Sequence, residues 1–168
     1  MRTIEGALDG SALRLAIVAS RFDKANVIER LIEGAVQTAG ECGVPDDALD
    51  LVRVPGAFEL PVVARRLAVT DLYDAIVCVG AVIRGETPHF NYVAGEAARG
   101  IADAARDFGV PVTFGVITAD TEQQARERAG GKAGNKGREA MLAAIEMATL
   151  FAALPGGNQA RKIGDHQS

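Results

Sequence analysis

The chain has no tryptophan and only 5% aromatic residues among its 168. Its core must therefore be built from aliphatic side chains, and an aromatic residue outside an apolar run needs a reason for its position. Cysteine is scarce too: Cys42 and Cys78 lie far apart and form no C-x-x-C pair. That spacing supports neither a disulfide framework nor a zinc site, and no metal is expected. Positive charge is in deficit, with 18 Lys and Arg against 22 Asp and Glu and a net charge of −4. A nucleic-acid partner, which would require a basic face, is not expected. Long apolar runs are missing as well. Leu13 to Ala19 and Ala75 to Ile83 are strand-length, far short of the roughly 20 residues of a membrane helix, so no membrane partner is expected. The opening Met1-Arg2-Thr3-Ile4-Glu5-Gly6 has neither an apolar signal core nor the Arg/Ser bias of a transit peptide, which makes the cytosol the expected compartment.

What the chain does have is 48% hydrophobic residues, enough for one sizeable core. Leu13 to Ala19 is nearly continuous in apolar residues and reads as a strand buried on both faces, as in a parallel sheet. Ala25, Ile28, Leu31, Ile32, Ala35, Val36 and Ala39 then recur at helical spacing, with Gly43-Val44-Pro45 as the stop. The alternation continues with strands at Leu49 to Val54, Ala75 to Val82 and Pro111 to Ile117, and helices at Pro61 to Ala68 and Pro88 to Phe108. Thr121-Glu122-Gln123-Gln124 has capping-box spacing and predicts a short helix that Gly130-Gly131 ends. A last helix is expected from about Asn135 to Leu154. Strands alternating with helices predict an α/β fold, a three-layer α/β/α sandwich around a mainly parallel sheet. Residues 1–154 are read as a single domain and 155–168, polar and Gly-rich, as a disordered tail. Thr3 to Leu8 reads as an isolated short strand, either an edge strand of the same sheet or one lent to a neighbouring subunit. The long helix carries Ala94, Gly95, Ala97, Ala98, Gly100, Ala102, Ala104 and Ala105, which suits either an oligomer interface or close packing within the chain.

In open α/β sheets, ligands sit beyond the carboxyl ends of the strands, where loops lead into helix N-termini. Four loops qualify: Ser20 to Asp23, Pro55 to Glu59, Arg84 to His89 and Thr118 to Asp120. Phe22, in a polar loop, is either a hydrophobic staple or a stacking platform for a flat ligand. Pro55-Gly56-Ala57 brings a nearly bare backbone to the strand end, and Glu59 either complements a helix dipole or accepts hydrogen bonds from hydroxyls. Thr87 as N-cap and Pro88 as first helical residue predict an anion site beside Gly85-Glu86-Thr87. His89 and His166 are the two histidines, and with His166 in the tail, proton transfer by imidazole falls to His89. The segment from Arg126 to Glu139 is basic and Gly-rich, a solvated surface or a phosphate contact. Neither G-x-x-x-x-G-K-[ST] nor G-x-G-x-x-G occurs, so nucleoside triphosphates and dinucleotides lose their usual support.

Three stretches together resemble the lumazine synthase family: Val54-Pro55-Gly56-Ala57-Phe58-Glu59-Leu60-Pro61, Gly80 to Val93, and Arg128-Ala129-Gly130 followed by Lys132-Ala133-Gly134-Asn135-Lys136-Gly137. The resemblance runs from about residue 3 to 154 in the family's order. It implies a flavodoxin-like sheet and a step of riboflavin biosynthesis: 5-amino-6-(D-ribitylamino)uracil and 3,4-dihydroxy-2-butanone 4-phosphate give 6,7-dimethyl-8-ribityllumazine, phosphate and water, with no cofactor or metal. By resemblance Phe22 stacks on the pyrimidine, the backbone around Ala57, Phe58, Val82 and Ile83 meets its polar edge, and Glu59 holds ribityl hydroxyls. Gly85, Glu86 and Thr87 form a phosphate loop with Arg128, Glu139 orients that arginine, and His89 carries protons. Phe114 and Lys136 come from an adjacent subunit. The resemblance further implies homo-oligomers: pentamers that can build an icosahedral cage of twelve pentamers and enclose riboflavin synthase. Two positions depart from the family pattern. Asp23 stands where Asn is usual, as a new charge near the pyrimidine or as a helix cap, and Asn91 stands where Asp is usual. The alternatives are a non-catalytic lumazine- or flavin-binding shell protein and a flavodoxin-like nucleotide binder.

Overall fold

The computed structural model describes residues 1–157. Four parallel strands form the central sheet: β1 (Leu15–Ser20), β2 (Leu49–Val54), β3 (Ala75–Ile83) and β4 (Val112–Ala119), in the order β2-β1-β3-β4. Five helices accompany them: α1 (Ile28–Glu41), α2 (Leu60–Ala68), α3 (His89–Phe108), α4 (Glu122–Glu127) and α5 (Lys136–Ala153). Each strand boundary falls within a few residues of the one expected from the apolar runs.

The sheet is a two-sided wall because its strands are apolar on both faces. Leu15, Ile17 and Ala19 of β1 and Val77 and Val79 of β3 face one layer, packed with Leu31 and Ala35 of α1 and Met141 and Ile145 of α5. Val18, Ile76 and Cys78 face the other, with Leu60 and Ala64 of α2 and Ile101 and Ala104 of α3. All six residues of β1 are buried. This is the three-layer, mainly parallel, flavodoxin-like arrangement that the alternation predicts.

Helix ends follow local chemistry. Gly109, at φ 61°, closes α3 in the left-handed conformation that glycine adopts without strain. Thr121 caps α4 by accepting from the Gln124 N–H, while the Gln124 side chain accepts from Asp120 N–H, so the expected capping box reaches back one residue further than the usual motif. Beyond α4 the chain forms a small antiparallel hairpin, β5 (Ala129–Gly131) with β6 (Gly134–Asn135). The two glycines therefore do more than stop a helix; they open a turn.

Two expectations are corrected, and a third divides between its alternatives. Helix α3 starts at His89 with Pro88 in the capping position and no side-chain cap, so Thr87 is not the N-cap. The segment Thr3 to Leu8 forms no strand and does not extend the sheet of its own chain. Instead it lies along α5, where Ala7 N–H donates to Thr149 Oγ1 at 2.8 Å. Only part of the small-residue pattern on α3 serves intrachain packing: a β-carbon on Gly100 would lie 2.6 Å from Pro61 of α2, whereas nothing comes within 4 Å at Gly95. The expected tail is described only as far as a turn at 155–157, which Gly157 N–H closes on the Leu154 carbonyl; its remainder, 158–168, lies outside the described residues.

Candidate active site

With the order β2-β1-β3-β4, the strand order reverses between β1 and β3, and the loops leaving their carboxyl ends diverge to opposite layers. A cleft of about 610 Å³ opens there, on the α2–α3 side of the sheet. Phe22, Gly56, Ala57, Phe58 and Glu59 form one wall; Val82, Ile83, Gly85, Thr87 and His89 form the other. Nine sequence-predicted residues thus share one cavity: Phe22, Ala57, Phe58, Glu59, Val82, Ile83, Gly85, Thr87 and His89.

The backbone explains how each is held. Arg21 N–H and Phe22 N–H donate to the carbonyls of Val54 and Pro55, at 2.8 and 2.9 Å, so the loop after β1 is stitched to the loop after β2. The Phe22 ring is 70% exposed, which rules out a staple buried against α1 and leaves its face open to the cleft. Asp23 turns the other way: its carboxylate oxygens accept from Val27 N–H and Ile28 N–H, each at 2.8 Å. Asp23 is not the N-cap residue, a place taken by Val27 without a side-chain cap, but from four residues upstream it satisfies N–H groups at the start of α1 that would otherwise be orphaned. Glu59 ends the tight turn Ala57–Glu59, and one of its carboxylate oxygens lies 3.1 Å from where Gly56 would carry a β-carbon. Its N–H donates to the Gly56 carbonyl at 3.2 Å, and among the described residues its carboxylate has no hydrogen-bond or ion-pair partner.

The second wall begins where Arg84 N–H donates to the Ala119 carbonyl at 2.9 Å. The Arg84 guanidinium pairs with Asp120 at 2.7 Å and lies 4.4 Å from the Phe90 ring centroid. These contacts anchor the start of the loop while Gly85, Glu86 and Thr87 stay exposed. The uncapped start of α3 opens onto the cleft beside them. Twenty aligned residues put the positive end of a helix dipole there, a setting that favours an anion. His89, the first residue of that helix, lines the same cleft as Phe22 and Glu59.

Lys24, Phe90, Tyr92 and Val93 also line the cleft, and residue-by-residue reading did not single them out. A signal was present: Tyr92 and Val93 follow His89 by three and four residues, which puts all three on one helical face. Tyr92 is 72% exposed.

The other predicted residues stand elsewhere. Glu86 is exposed in the loop but does not line the cleft. Arg128 does not line the cleft of its own chain. Its neighbours Ala125 and Ala129 pack into the α1–α5 layer, and its guanidinium donates to the Gln124 carbonyl at 3.0 Å. Glu139 does not orient it; Glu139 pairs with Lys136 at 2.5 Å, three residues earlier on the same helix. Phe114 lies on the edge strand β4, 41% exposed. Residues too far apart on one chain to meet can still share a site across copies.

Elsewhere the chemistry is quiet. Cys78 is fully buried in β3, and burial pushes its thiol up to about 12. The described residues contain no group of three His, Cys, Asp or Glu side chains that could hold a metal ion, and no helix long and apolar enough to cross a membrane.

Compared with known protein families, residues 12–152 match the family of 6,7-dimethyl-8-ribityllumazine synthase. That span takes in all four sheet strands, the cleft and the Arg128 to Gly137 segment. A match over most of the 168 residues, in a chain whose sheet order and ligand-sized cleft suit it, shows that this protein belongs to the 6,7-dimethyl-8-ribityllumazine synthase family.

Proposed function

We propose that the protein catalyses the reaction for which its family is named, within riboflavin biosynthesis and in the cytosol. 5-Amino-6-(D-ribitylamino)uracil condenses with 3,4-dihydroxy-2-butanone 4-phosphate to give 6,7-dimethyl-8-ribityllumazine, phosphate and water. The observation that carries the reading is the convergence of Phe22, Glu59, the Gly85 to Thr87 loop and His89 on one cleft at the switch point of the sheet.

The roles follow from chemistry. Phe22 presents a flat apolar face on which a pyrimidine can stack. The main chain around Ala57, Phe58, Val82 and Ile83 meets the polar edge of that ring, and Glu59 accepts hydrogen bonds from ribityl hydroxyls. Phosphate lies at the loop of Gly85, Glu86 and Thr87, beside the start of α3. The primary amine adds to the ketone and a first water is lost; phosphate is then eliminated, and the ribityl-bearing amine closes the second ring on the carbonyl so formed, with loss of a second water. No step changes the redox state, so the demand is for proton transfer and for an anchored leaving group. His89 moves the protons. Orientation of two reactive partners in one cleft can contribute about 7–11 kcal/mol of the barrier reduction.

Arg128 and Lys136 are assigned to the phosphate and Phe114 to the pyrimidine wall, each reaching the cleft of an adjacent copy. This reading makes the site dependent on a homo-oligomer. A ring of five copies, twelve such rings closing into a shell, and riboflavin synthase enclosed within it form the assembly we propose. The compact turn between β5 and β6 suits it.

The decisive experiment mixes purified protein with both substrates and follows lumazine absorbance and fluorescence above spontaneous condensation. His89→Ala is expected to retain slow turnover, reduced about 10²–10⁴-fold, the usual contribution of one general acid–base group. Product formation at the background rate with tight lumazine binding would establish the non-catalytic shell protein instead. Unchanged turnover in His89→Ala would remove that residue from the mechanism.

A further inference from the structure

Arg128, the C-cap of α4, and Lys136, the first residue of α5, flank the β5–β6 hairpin, and one side chain ties its exit to α1. Asn135, the N-cap of α5, uses both ends of its carboxamide. Oδ1 accepts from Gly137 N–H at 2.9 Å and Arg138 N–H at 3.1 Å, while Nδ2 donates to the Arg30 carbonyl at 2.9 Å. The opposite orientation of the amide would set its NH₂ against two N–H donors, so the assignment is unambiguous.

Two glycines make the joint possible. A β-carbon on Gly34 would lie 2.5 Å from Asn135 Nδ2, and one on Gly137 would lie 1.9 Å from the Leu31 carbonyl oxygen. The helices meet almost backbone to backbone, with the carboxamide seated where Gly34 has no side chain. Lys136 lies between these two anchored residues. Its own N–H donates to the Arg128 carbonyl at 2.9 Å, and Asn135 is the pairing partner of Ala129 across the hairpin. The main chain at Arg128 and the main chain at Lys136 are thereby held in one fixed relation, referred to α1.

We propose that Asn135 is a positioning residue that sets the spacing of Arg128 and Lys136 for a phosphate group, a role that rests on the assignment of these two cations made above. Capping alone does not call for asparagine, because Ser, Thr or Asp would satisfy the first N–H groups of α5 equally well. The donor half of the amide is what connects α5 to α1, and a carboxylate or a hydroxyl at this position cannot supply it at the same reach.

The test compares the assembled wild type with Asn135→Asp, Asn135→Ser and Gly34→Ala. Asp keeps the acceptor for the cap but turns an oxygen toward the Arg30 carbonyl; Ser keeps the cap and loses the reach; the added methyl of Gly34→Ala displaces the amide. Each is expected to raise the KM for the phosphorylated substrate roughly tenfold, the lower end of what losing one charge-assisted contact does, with the pyrimidine KM unchanged. Inhibition by inorganic phosphate should weaken in parallel. An unchanged KM for the phosphorylated substrate in folded Asn135→Asp would overturn the proposal, as would equal losses for both substrates, which mark a merely structural residue. Calorimetric titration with inorganic phosphate needs no turnover. If wild type makes no product, the catalytic reading fails on its own, and equal phosphate affinity in wild type and Asn135→Asp would still overturn this one.

Discussion

Asp23 is the residue at which a departure from the family pattern can be converted into a number. Its two carboxylate oxygens accept from the N–H groups of Val27 and Ile28 at 2.8 Å, and both of those residues are buried, at 0% and 2% exposure. In Asp23→Ala the first N–H groups of α1 lose their side-chain acceptor, a change on the scale of a lost helix cap, about 1 kcal/mol. Hydrogen bonds to an ionised acceptor contribute about 1.5–3 kcal/mol each when nothing replaces them. The loop around Asp23 is only half buried, so water recovers part of that loss, and a net destabilisation of about 2 kcal/mol is expected. At this chain length the change corresponds to a fall in Tm of about 4–8 °C. Asp23→Asn keeps one acceptor oxygen but points its NH₂ at a donor, so about half the effect is expected, ~1 kcal/mol. Denaturant and thermal unfolding by circular dichroism would measure both, at one fixed protomer concentration because assembly shifts apparent stability. The Ala variant should also show a raised pyrimidine KM, since Asp23 adjoins Phe22 in the wall of the cleft. A loss below about 0.5 kcal/mol, or an Asn variant as damaged as the Ala variant, would refute the reasoning.

Three further outcomes are expected. Arg128→Ala should raise the KM for the phosphorylated substrate roughly 10- to 100-fold, the scale of one charge-assisted contact, and leave the pyrimidine KM nearly unchanged; equal changes in steady-state kinetics would contradict its role. The Asp50 carboxyl is held below its ordinary range by the Tyr73 hydroxyl, with Arg14 assisting. Its folded pKa being depressed, this stabilisation is present above the ordinary carboxylate range and fades as pH falls through the folded value. At 40% exposure, Tyr73→Phe should cost about 1 kcal/mol at neutral pH and less in acid; unfolding midpoints that differ equally at both pH values would oppose this. Light scattering at low micromolar protomer should report a particle of shell mass, and pentamer mass alone would exclude the cage.

Sequence reading and structure agree most closely where a local pattern has one physical solution. Val77 and Val79 must be covered on one side of β3 and Ile76 and Cys78 on the other, so continuous apolar runs predicted a sheet buried on both faces. Ligand loops at the strand ends, and with them Phe22, Glu59 and His89, followed from that layering. The two readings of Phe22 were not separable locally, because a staple and an exposed platform differ only in where the ring points. Its 70% exposure, on a loop whose Arg21 and Phe22 N–H groups are bonded to Val54 and Pro55, depends on tertiary contacts that no periodicity encodes.

Pairing between charged groups was legible least of all. Glu139 and Arg128 are close in sequence and opposite in charge, yet helix geometry puts Lys136 one turn away from Glu139 and gives it the ion pair. Nothing local showed that Arg128 would stand outside the cleft of its own chain, or that Thr3 to Leu8 would lie along α5. By itself the sequence determined element type, order and the chemistry available at the strand ends, because hydrophobic period, caps and turns act over a few residues. Only the tertiary structure decided which of those groups share a cavity, since that depends on the strand order β2-β1-β3-β4 and on the layer to which each crossover is sent.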